Sequence, residues 1–269
     1  MERARIAYSG RVAGLGYRIL TVAPDGSDVR QVTRGPHGDD GWPAWSPDGA
    51  RLCFAARRNH YATLYVVASD GTGEERLTPT GSVDDEFPDW SPCGRHVAFS
   101  RSNATGDRLF TVNVECRAER ALTTGRAMDY APSWSPNGEL IAFRRSLACP
   151  AGIYVMPAGG GEPWFLIPGN DPSWEPTGEA MAYAHAGGVW VARVASDGRS
   201  TQDRTRLTSG GEAEDRHPRW SPDGAHLVFE RELLGYGDSS CTLVVMRAND
   251  GAETCLGEGR APDWSPLLV

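Results

Sequence analysis

The sequence has no long apolar run, no excess of basic residues and no apolar segment at its N-terminus. No stretch approaches the roughly 20 apolar residues that a membrane-spanning helix needs, so we expect no membrane partner. The formal net charge of −8 argues against nucleic acid as a partner, because a polyanion needs a basic face. The first residues, Met1 to Arg5, lack the apolar core of a signal peptide. They predict a cytoplasmic protein, or a periplasmic one if a signal peptide has been removed.

Closely spaced cysteines are also missing. The six cysteines include no Cys-x-x-Cys pair, which argues against a zinc ribbon or a thioredoxin-type site. They fall at different places in the repeats described below, so we interpret them as free thiols.

One short sequence word recurs six times along the chain. It reads Pro-x-Trp-Ser-Pro-x-Gly, with Glu for Ser in one copy and a last copy that stops at the second Pro. Its tryptophans, called the blade tryptophans below, are Trp45, Trp90, Trp134, Trp174, Trp220 and Trp264. Their separations of 45, 44, 40, 46 and 44 residues match the length of one blade of a β-propeller.

Each word is followed by the same succession of predicted strands. The word itself forms strand A and ends in a Pro-x-Gly turn, and apolar strands B, C and D follow, with tight turns such as Asp70-Gly71 between C and D. The N-terminus begins with strand B and the C-terminus ends in strand A, so the two ends complete one blade. The predicted fold is therefore an all-β, six-bladed propeller of four-stranded antiparallel blades, which forms a single domain over residues 1–269. The predicted blades are 3–34 plus 261–266, 42–78, 87–124, 131–167, 171–208 and 217–257.

On these words the sequence resembles the TolB-like propellers, whose repeat reads Pro-x-Trp-Ser-Pro-Asp-Gly followed by an Ile-Ala-Phe strand. The resemblance covers essentially the whole chain. In that family the repeat is found in periplasmic Tol-system proteins, in propeller domains of prolyl-oligopeptidase-type peptidases and in some polysaccharide lyases. The chain has no Gly-x-Ser-x-Gly nucleophile motif, so the resemblance implies the fold more strongly than a function.

Chain direction places the B–C loops and the D-to-A crossings on one rim of the propeller. These segments vary from blade to blade, and variable loops on a rigid frame usually carry function. The sequence therefore predicts a non-catalytic binding or scaffold propeller that recognises a protein, a peptide or a small polar ligand at this rim. Because ring closure leaves no long free strand edge, we expect a monomer.

Acidic residues recur five positions before the blade tryptophan, at Asp40, Asp85, Asp129 and Asp215. If they crowd at the channel mouth, their oxygens could hold a divalent cation, either calcium or a transition metal. No other cofactor is indicated. The alternative is structural: these carboxylates accept backbone N–H groups in the crossings or pair with nearby arginines.

Basic and aromatic residues on the same rim are candidate ligand contacts. Three arginines follow the strand-B aromatic residue by two positions, where they either pair with the acidic crossings or recognise a polar ligand. Two aromatic residues stand three positions before the blade tryptophan, and two further candidates belong to the B–C loop of the second blade. The set is Trp42, His60, Tyr61, Phe87, Arg101, Arg145 and Arg231.

The alternative function is an enzyme, namely a lyase, hydrolase or cyclase, which would include a tailoring enzyme of a biosynthetic pathway. His185, Asp215, His217 and Tyr236 are expected to converge at the rim of the fifth and sixth blades. Two histidines, a carboxylate and a phenol provide either acid–base chemistry or ligands for a transition metal.

Overall fold

The computed structural model describes residues 4–35, 38–58, 60–79, 81, 83–104, 106–234 and 241–266. Within these ranges the regular structure consists of β-strands, and no helix is present. None of the described segments forms a helix that is long and apolar enough to cross a membrane.

The described residues form 24 strands, numbered in chain order. They are β1 Ile6–Val12, β2 Gly16–Val22, β3 Arg30–Gln31, β4 Asp39–Trp45, β5 Arg51–Arg57, β6 Ala62–Ala68, β7 Glu75–Arg76, β8 Asp84–Trp90, β9 His96–Asn103, β10 Gly106–Asn113, β11 Glu119–Ala121, β12 Asp129–Trp134, β13 Leu140–Arg145, β14 Gly152–Pro157, β15 Trp164–Ile167, β16 Asn170–Trp174, β17 Ala180–His185, β18 Gly188–Val194, β19 Thr201–Arg206, β20 Ala213–Trp220, β21 His226–Leu233, β22 Cys241–Arg247, β23 Glu253–Glu258 and β24 Arg260–Trp264.

The strands form six antiparallel sheets of four, which are the blades. Five blades use consecutive strands, from β4–β7 through β20–β23, and the first blade has the order β24-β1-β2-β3. In this first blade Ile6 lies opposite Trp264, so the C-terminal strand A pairs with the N-terminal strand B. The prediction of a six-bladed propeller closed by the two chain ends is confirmed.

The core lies between adjacent blades. Trp45, in the inner strand of the second blade, packs with Ile19 and Val32 of the first blade and with Phe54 of its own. Trp90 packs against the second blade in the same way, and its indole Nε1 donates a hydrogen bond to the carbonyl of Ala44 (3.1 Å). Burial of these large aromatic residues between sheets provides much of the stability of such a fold. The result is a rigid ring that presents its inner strands to a central channel.

Candidate functional site at the channel mouth

A bulge in every inner strand positions the site. In each blade the pairing of strand A with strand B is irregular close to the residue three positions before the blade tryptophan. At that position φ is positive although the residue is not glycine, which is uncommon. The six residues, called the channel ring below, are Trp42 (54°), Phe87 (55°), Ala131 (52°), Asp171 (50°), His217 (49°) and Ala261 (47°). Bulges re-aim side chains, and these six residues from six blades border one small cavity of about 20 Å³ on the axis.

The channel ring is aromatic on one side and charged on the other. The ring centroids of Trp42 and Phe87 are 4.1 Å apart, and the imidazole of His217 lies edge-on to Trp42 at 4.8 Å. His217 Nε2 lies 3.5 Å from Asp171 Oδ1, and His217 Nδ1 lies 2.9 Å from Glu230 Oε1. The imidazole therefore stands between two carboxylates and beside an aromatic pair.

The electrostatics of this group favour a charged histidine. Burial on its own would lower the pKa of His217, but the carboxylates of Asp171 and Glu230 outweigh burial and raise it. Burial would raise the pKa of Glu230, but the charge and hydrogen bond of His217, together with the backbone N–H of Ala261 and the charge of Arg260, lower it below its ordinary value. The shifts of the two partners agree with an ion pair inside the channel.

Glu230 is a site residue that sequence reasoning missed. It directly follows the strand-B aromatic residue, and its Oε2 accepts the backbone N–H of Ala261 in the channel ring (2.8 Å). Ser100 occupies the same position in the third blade, and its Oγ accepts the backbone N–H of Ala131 (3.1 Å). The position therefore supports the bulge of the next blade. The sequence signal for this role was an acidic residue at a repeat position that holds a serine in the third blade.

A second layer of charge lies deeper in the channel, at the residue just before the blade tryptophan. Asp89 Oδ2 accepts the backbone N–H of Trp134 (2.7 Å), and Asp263 Oδ2 accepts that of Trp45 (2.8 Å). Arg219 Nε lies 3.7 Å from Asp263 Oδ1. Burial raises the pKa of Asp89 to about 7 and that of Asp263 to about 6, although Arg219 opposes both shifts.

Two cavities open beside the channel ring. The first, called the mouth cavity below, has a volume of about 390 Å³ and reaches the ring at Trp42 and His217. It is lined by both acids and arginines, namely Asp39, Asp40, Glu86, Glu230, Glu232, Arg57, Arg216 and Arg260. The second has a volume of about 480 Å³ and lies on the other side of Arg216 and His217.

The second cavity brings together three of the four predicted catalytic residues. His185, Asp215 and His217 all line it, whereas Tyr236 lies outside the described residues. Burial lowers the pKa of His185, and the nearby Arg204 and Arg206 lower it further. The two histidines thus differ: His217 is stabilised as a cation and His185 as a neutral base.

The four predicted metal ligands are each paired with an arginine of their own blade. The carboxylate of Asp85 accepts hydrogen bonds from Arg101 at 2.6 and 2.8 Å, and Asp129 accepts the same pair of bonds from Arg145. Asp215 is bound by Arg231 at 2.7 and 3.0 Å, and Asp40 by Arg58. Among the described residues, no three His, Cys, Asp or Glu side chains are grouped so as to hold a metal ion.

These pairs also occupy three of the predicted ligand-binding residues. Arg101 and Arg231 reach past their aspartates to Glu119 and Glu253 on the outer strands, so each is held by two carboxylates. Trp42 and Phe87 are the predicted ligand contacts that the structure places in the channel.

The remaining two candidates lie on the outside of the rim. His60 and Tyr61 form the B–C loop of the second blade, where the carbonyl of His60 accepts a hydrogen bond from Arg57 (2.8 Å). Tyr61 is 41% exposed. Other B–C loops, or the strand ends next to them, present large apolar side chains on the same rim, at Leu15, Leu147, Leu233 and Leu234.

Comparison with known proteins agrees with the fold. A sequence profile described as the TolB beta propeller domain matches residues 85–268. The structure of TolB from Acinetobacter baumannii is 20% identical in sequence, with a TM-score of 0.81 over 98% of this chain and 67% of that one. The putative TolB from Agrobacterium tumefaciens is also 20% identical, with a TM-score of 0.72 over 96% and 91%. An oligogalacturonate lyase in complex with manganese is 14% identical, with a TM-score of 0.53 over 95% and 74%. No curated protein sequence matches the chain.

Proposed function

Because the chain belongs to the TolB β-propeller family, we propose that it is a non-catalytic binding protein that recognises a segment of another protein or a peptide. The binding surface is the rim formed by the B–C loops and the D-to-A crossings, with the mouth cavity at its centre. The small polar ligand expected from the sequence is here a polar group of the partner, which enters the mouth cavity.

One observation carries this proposal: large exposed apolar side chains of four blades lie on the rim that also contains the mouth cavity. Among the described residues, the large exposed hydrophobic side chains are Leu15, Val29, Tyr61, Leu147, Leu233 and Leu234, and all except Val29 lie at B–C loops or the adjoining strand ends. Leu147 is 70% exposed. Exposed apolar side chains that are confined to one face of a protein favour an interaction surface on that face.

The test is capture of a partner with variants of the two rims. The rim variant combines Leu15→Ser, Tyr61→Ser and Leu147→Ser, and the control is Val29→Ser on the opposite rim. We expect a partner crosslinked to the wild-type protein in an extract of its own cells to be recovered with Val29→Ser and lost with the rim variant. A partner that is retained by the rim variant and lost with Val29→Ser would contradict the proposal.

An enzyme is the second candidate function, and the position of His217 is the observation that favours it. Its imidazole contacts two carboxylates and lines both cavities, which is the arrangement of a proton-transfer group. His185, which lines the second cavity with a lowered pKa, is suited to act as a base. If the chain is an enzyme, His185→Gln should abolish turnover without lowering the melting temperature, since this side chain is partly exposed. Full turnover in that variant would exclude this role for His185.

The predictions of a monomer and of a cytoplasmic location belong to the same proposal. Size-exclusion chromatography with light scattering should give a mass near 29.1 kDa, and cell fractionation tests the compartment.

A further inference from the structure

We propose that the mouth cavity receives a protonated amine, such as the side-chain ammonium group of a lysine in the bound segment. Trp42 provides an aromatic wall against which the alkyl chain of the amine packs, and Glu86 provides the negative charge. This inference rests on the proposed function, because it names the group that the rim would draw from its partner.

The charges around the mouth cavity leave an excess of carboxylate. Arg57 is shared between Asp84 (2.9 Å) and Glu86 (3.4 Å). Arg216 is shared in the same way between Glu214 and Glu232. Each of these arginines therefore faces two acids, as protonated His217 faces Asp171 and Glu230. Each of the three groups carries a net negative charge, and Arg260, which also lines the cavity, offsets it only in part. An incoming cation would complete them, and an incoming anion would have to compete with carboxylates already in place.

The ionised form of Glu86 is destabilised by its surroundings. Burial raises the pKa of its carboxyl group and the neighbouring Asp84 raises it further, while Arg57 compensates only in part. A second cation next to Glu86 would remove that cost, which makes the residue a favourable counter-charge for a ligand.

Trp42 gives the cavity an aromatic wall. The bulge in β4 holds its indole against Phe87 at 4.1 Å, and Trp42 lines both the mouth cavity and the smaller axial cavity below it. Indole is the best aromatic partner for an ammonium group. An indole next to the partly compensated carboxylate of Glu86 therefore favours a cation that also has an alkyl chain, because the chain can pack on the ring.

The mouth cavity is large enough to receive a single side chain. A volume of about 390 Å³ lies at the lower end of the range for ligand clefts. Beyond the channel ring lie Asp89 and Asp263, which share Arg219 as their nearby cation. Because burial raises the pKa of both carboxyl groups towards neutral pH and Arg219 lies beside them, this layer adds little negative charge, and the carboxylates at the mouth itself attract the cation.

The test is a calorimetric and NMR titration of the purified protein with Nα-acetyl-lysine-N-methylamide. The matched probes are its neutral Nε-acetyl derivative, Nα-acetyl-glutamate-N-methylamide and the free diamine cadaverine. We expect the lysine probe to bind at least about tenfold more tightly than the neutral and acidic probes, with an affinity that falls as salt is added. If cadaverine binds as tightly as the lysine probe, the site takes a free amine, and if it binds more weakly, the site reads an amine on a peptide backbone.

Variants locate the binding. Glu86→Gln and Trp42→Leu should each weaken the lysine probe at least about fivefold. The control is Glu75→Gln, which removes an arginine-paired glutamate on an outer strand (2.8 Å from Arg117) and should change nothing. Equal binding of the neutral probe, full binding in Glu86→Gln, or no binding of the lysine probe at millimolar concentration would each overturn the inference.

Failure here is distinguishable from failure of the proposed function. If the lysine probe does not bind but the partner is still lost with the rim variant, the rim is the binding surface and only the amine site is wrong. If the probe binds at the cavity but the partner is unaffected by the rim variant, the amine site stands without the protein partner.

Discussion

The two rims of this propeller come from the same repeat, but their side chains are similar from blade to blade on one rim and different on the other. On the rim of the A–B turns the blades repeat one set of hydrogen bonds: Ser46 Oγ bonds to Asp48, Ser135 Oγ to Asn137 and Ser221 Oγ to Asp223, at 2.5 to 2.7 Å. On the opposite rim, equivalent positions of the channel ring carry residues as different as Trp42 and Asp171.

This difference distinguishes the part of the repeat that only reverses the chain from the part that presents side chains for recognition. The A–B turns keep their chemistry because each one only has to reverse the chain. The bulges keep their backbone conformation in all six blades, while their side chains vary. A conserved backbone with individual side chains is the pattern expected of a surface that recognises something.

The largest effect should come from the ion pairs that fix the crossings. Asp85 is fully buried and accepts hydrogen bonds from Nε and Nη2 of Arg101, so Asp85→Ala leaves the largely buried guanidinium with Glu119 alone as its carboxylate partner. We expect the free energy of unfolding to fall by about 3 kcal/mol. The matched change on the other rim, Asp48→Ala, removes an exposed turn contact and should cost about 1 kcal/mol or less. Urea unfolding measures both, and equal losses would mean that the two rims do not differ in this way.

A smaller effect, of opposite sign, is expected inside the channel. The raised pKa of Asp89, about 7, means that the folded state binds a proton more readily than the unfolded state. Asp89 therefore destabilises the fold as the pH rises from about 4 through 7, and this loss is removed by Asp89→Asn, whose amide oxygen can still accept the Trp134 N–H. At pH 8 the variant should be more stable than wild type by at least about 1 kcal/mol. The gain should disappear near pH 4, and a gain that is independent of pH would contradict the assignment.

The ion pair of His217 should show in its own titration. A raised pKa means that its stabilising contribution is complete below about pH 6.5 and is lost as the pH rises through the pKa of the folded state. In NMR spectra the imidazole of His217 should titrate above its ordinary value and shift downward in Glu230→Gln. His185, with a lowered pKa, serves as the internal control and should not respond. If the titration midpoint of His217 does not change in Glu230→Gln, the two residues do not form the ion pair.

The smallest effect concerns an A–B turn whose third residue is a cysteine. Cys93 stands where the other turns have Asp48 or Asp223, and a hydrogen bond from Ser91 Oγ and one from the backbone N–H of Arg95 lower its pKa to about 7. We expect iodoacetamide at pH 7 to modify Cys93 several-fold faster than the exposed Cys116 and Cys255, as read by mass spectrometry. Ser91→Ala should remove that advantage, and equal rates at the three thiols would show that the turn does not activate Cys93.

The fold was predictable because the same strand pattern recurs in every blade. Six copies of one word fix the number of blades, and the chain ends that lack strand A or strands B to D fix the closure. The predicted TolB-like family is confirmed by the profile match and by the TolB structures.

The site was only partly predictable. Trp42, Phe87 and His217 are outliers at one repeat position and could be singled out in the sequence, but their common positive φ and their convergence on the axis are properties of the bulge. The role of Glu230 depends on a contact with the next blade, 31 residues away, which no local pattern contains. The pairing of Asp85 with Arg101 depends on the register of two strands, which the sequence does not give. This pairing is a structural explanation for two residues that were candidates for metal or ligand binding.

The most direct test of the account is hydrogen–deuterium exchange of the protein with and without the partner recovered by capture. We expect protection of the B–C loops and of the inner-strand bulges around Trp42 and His217, with the A–B turns unchanged. Protection confined to the A–B turns, with exchange at the bulges unaltered, would contradict it.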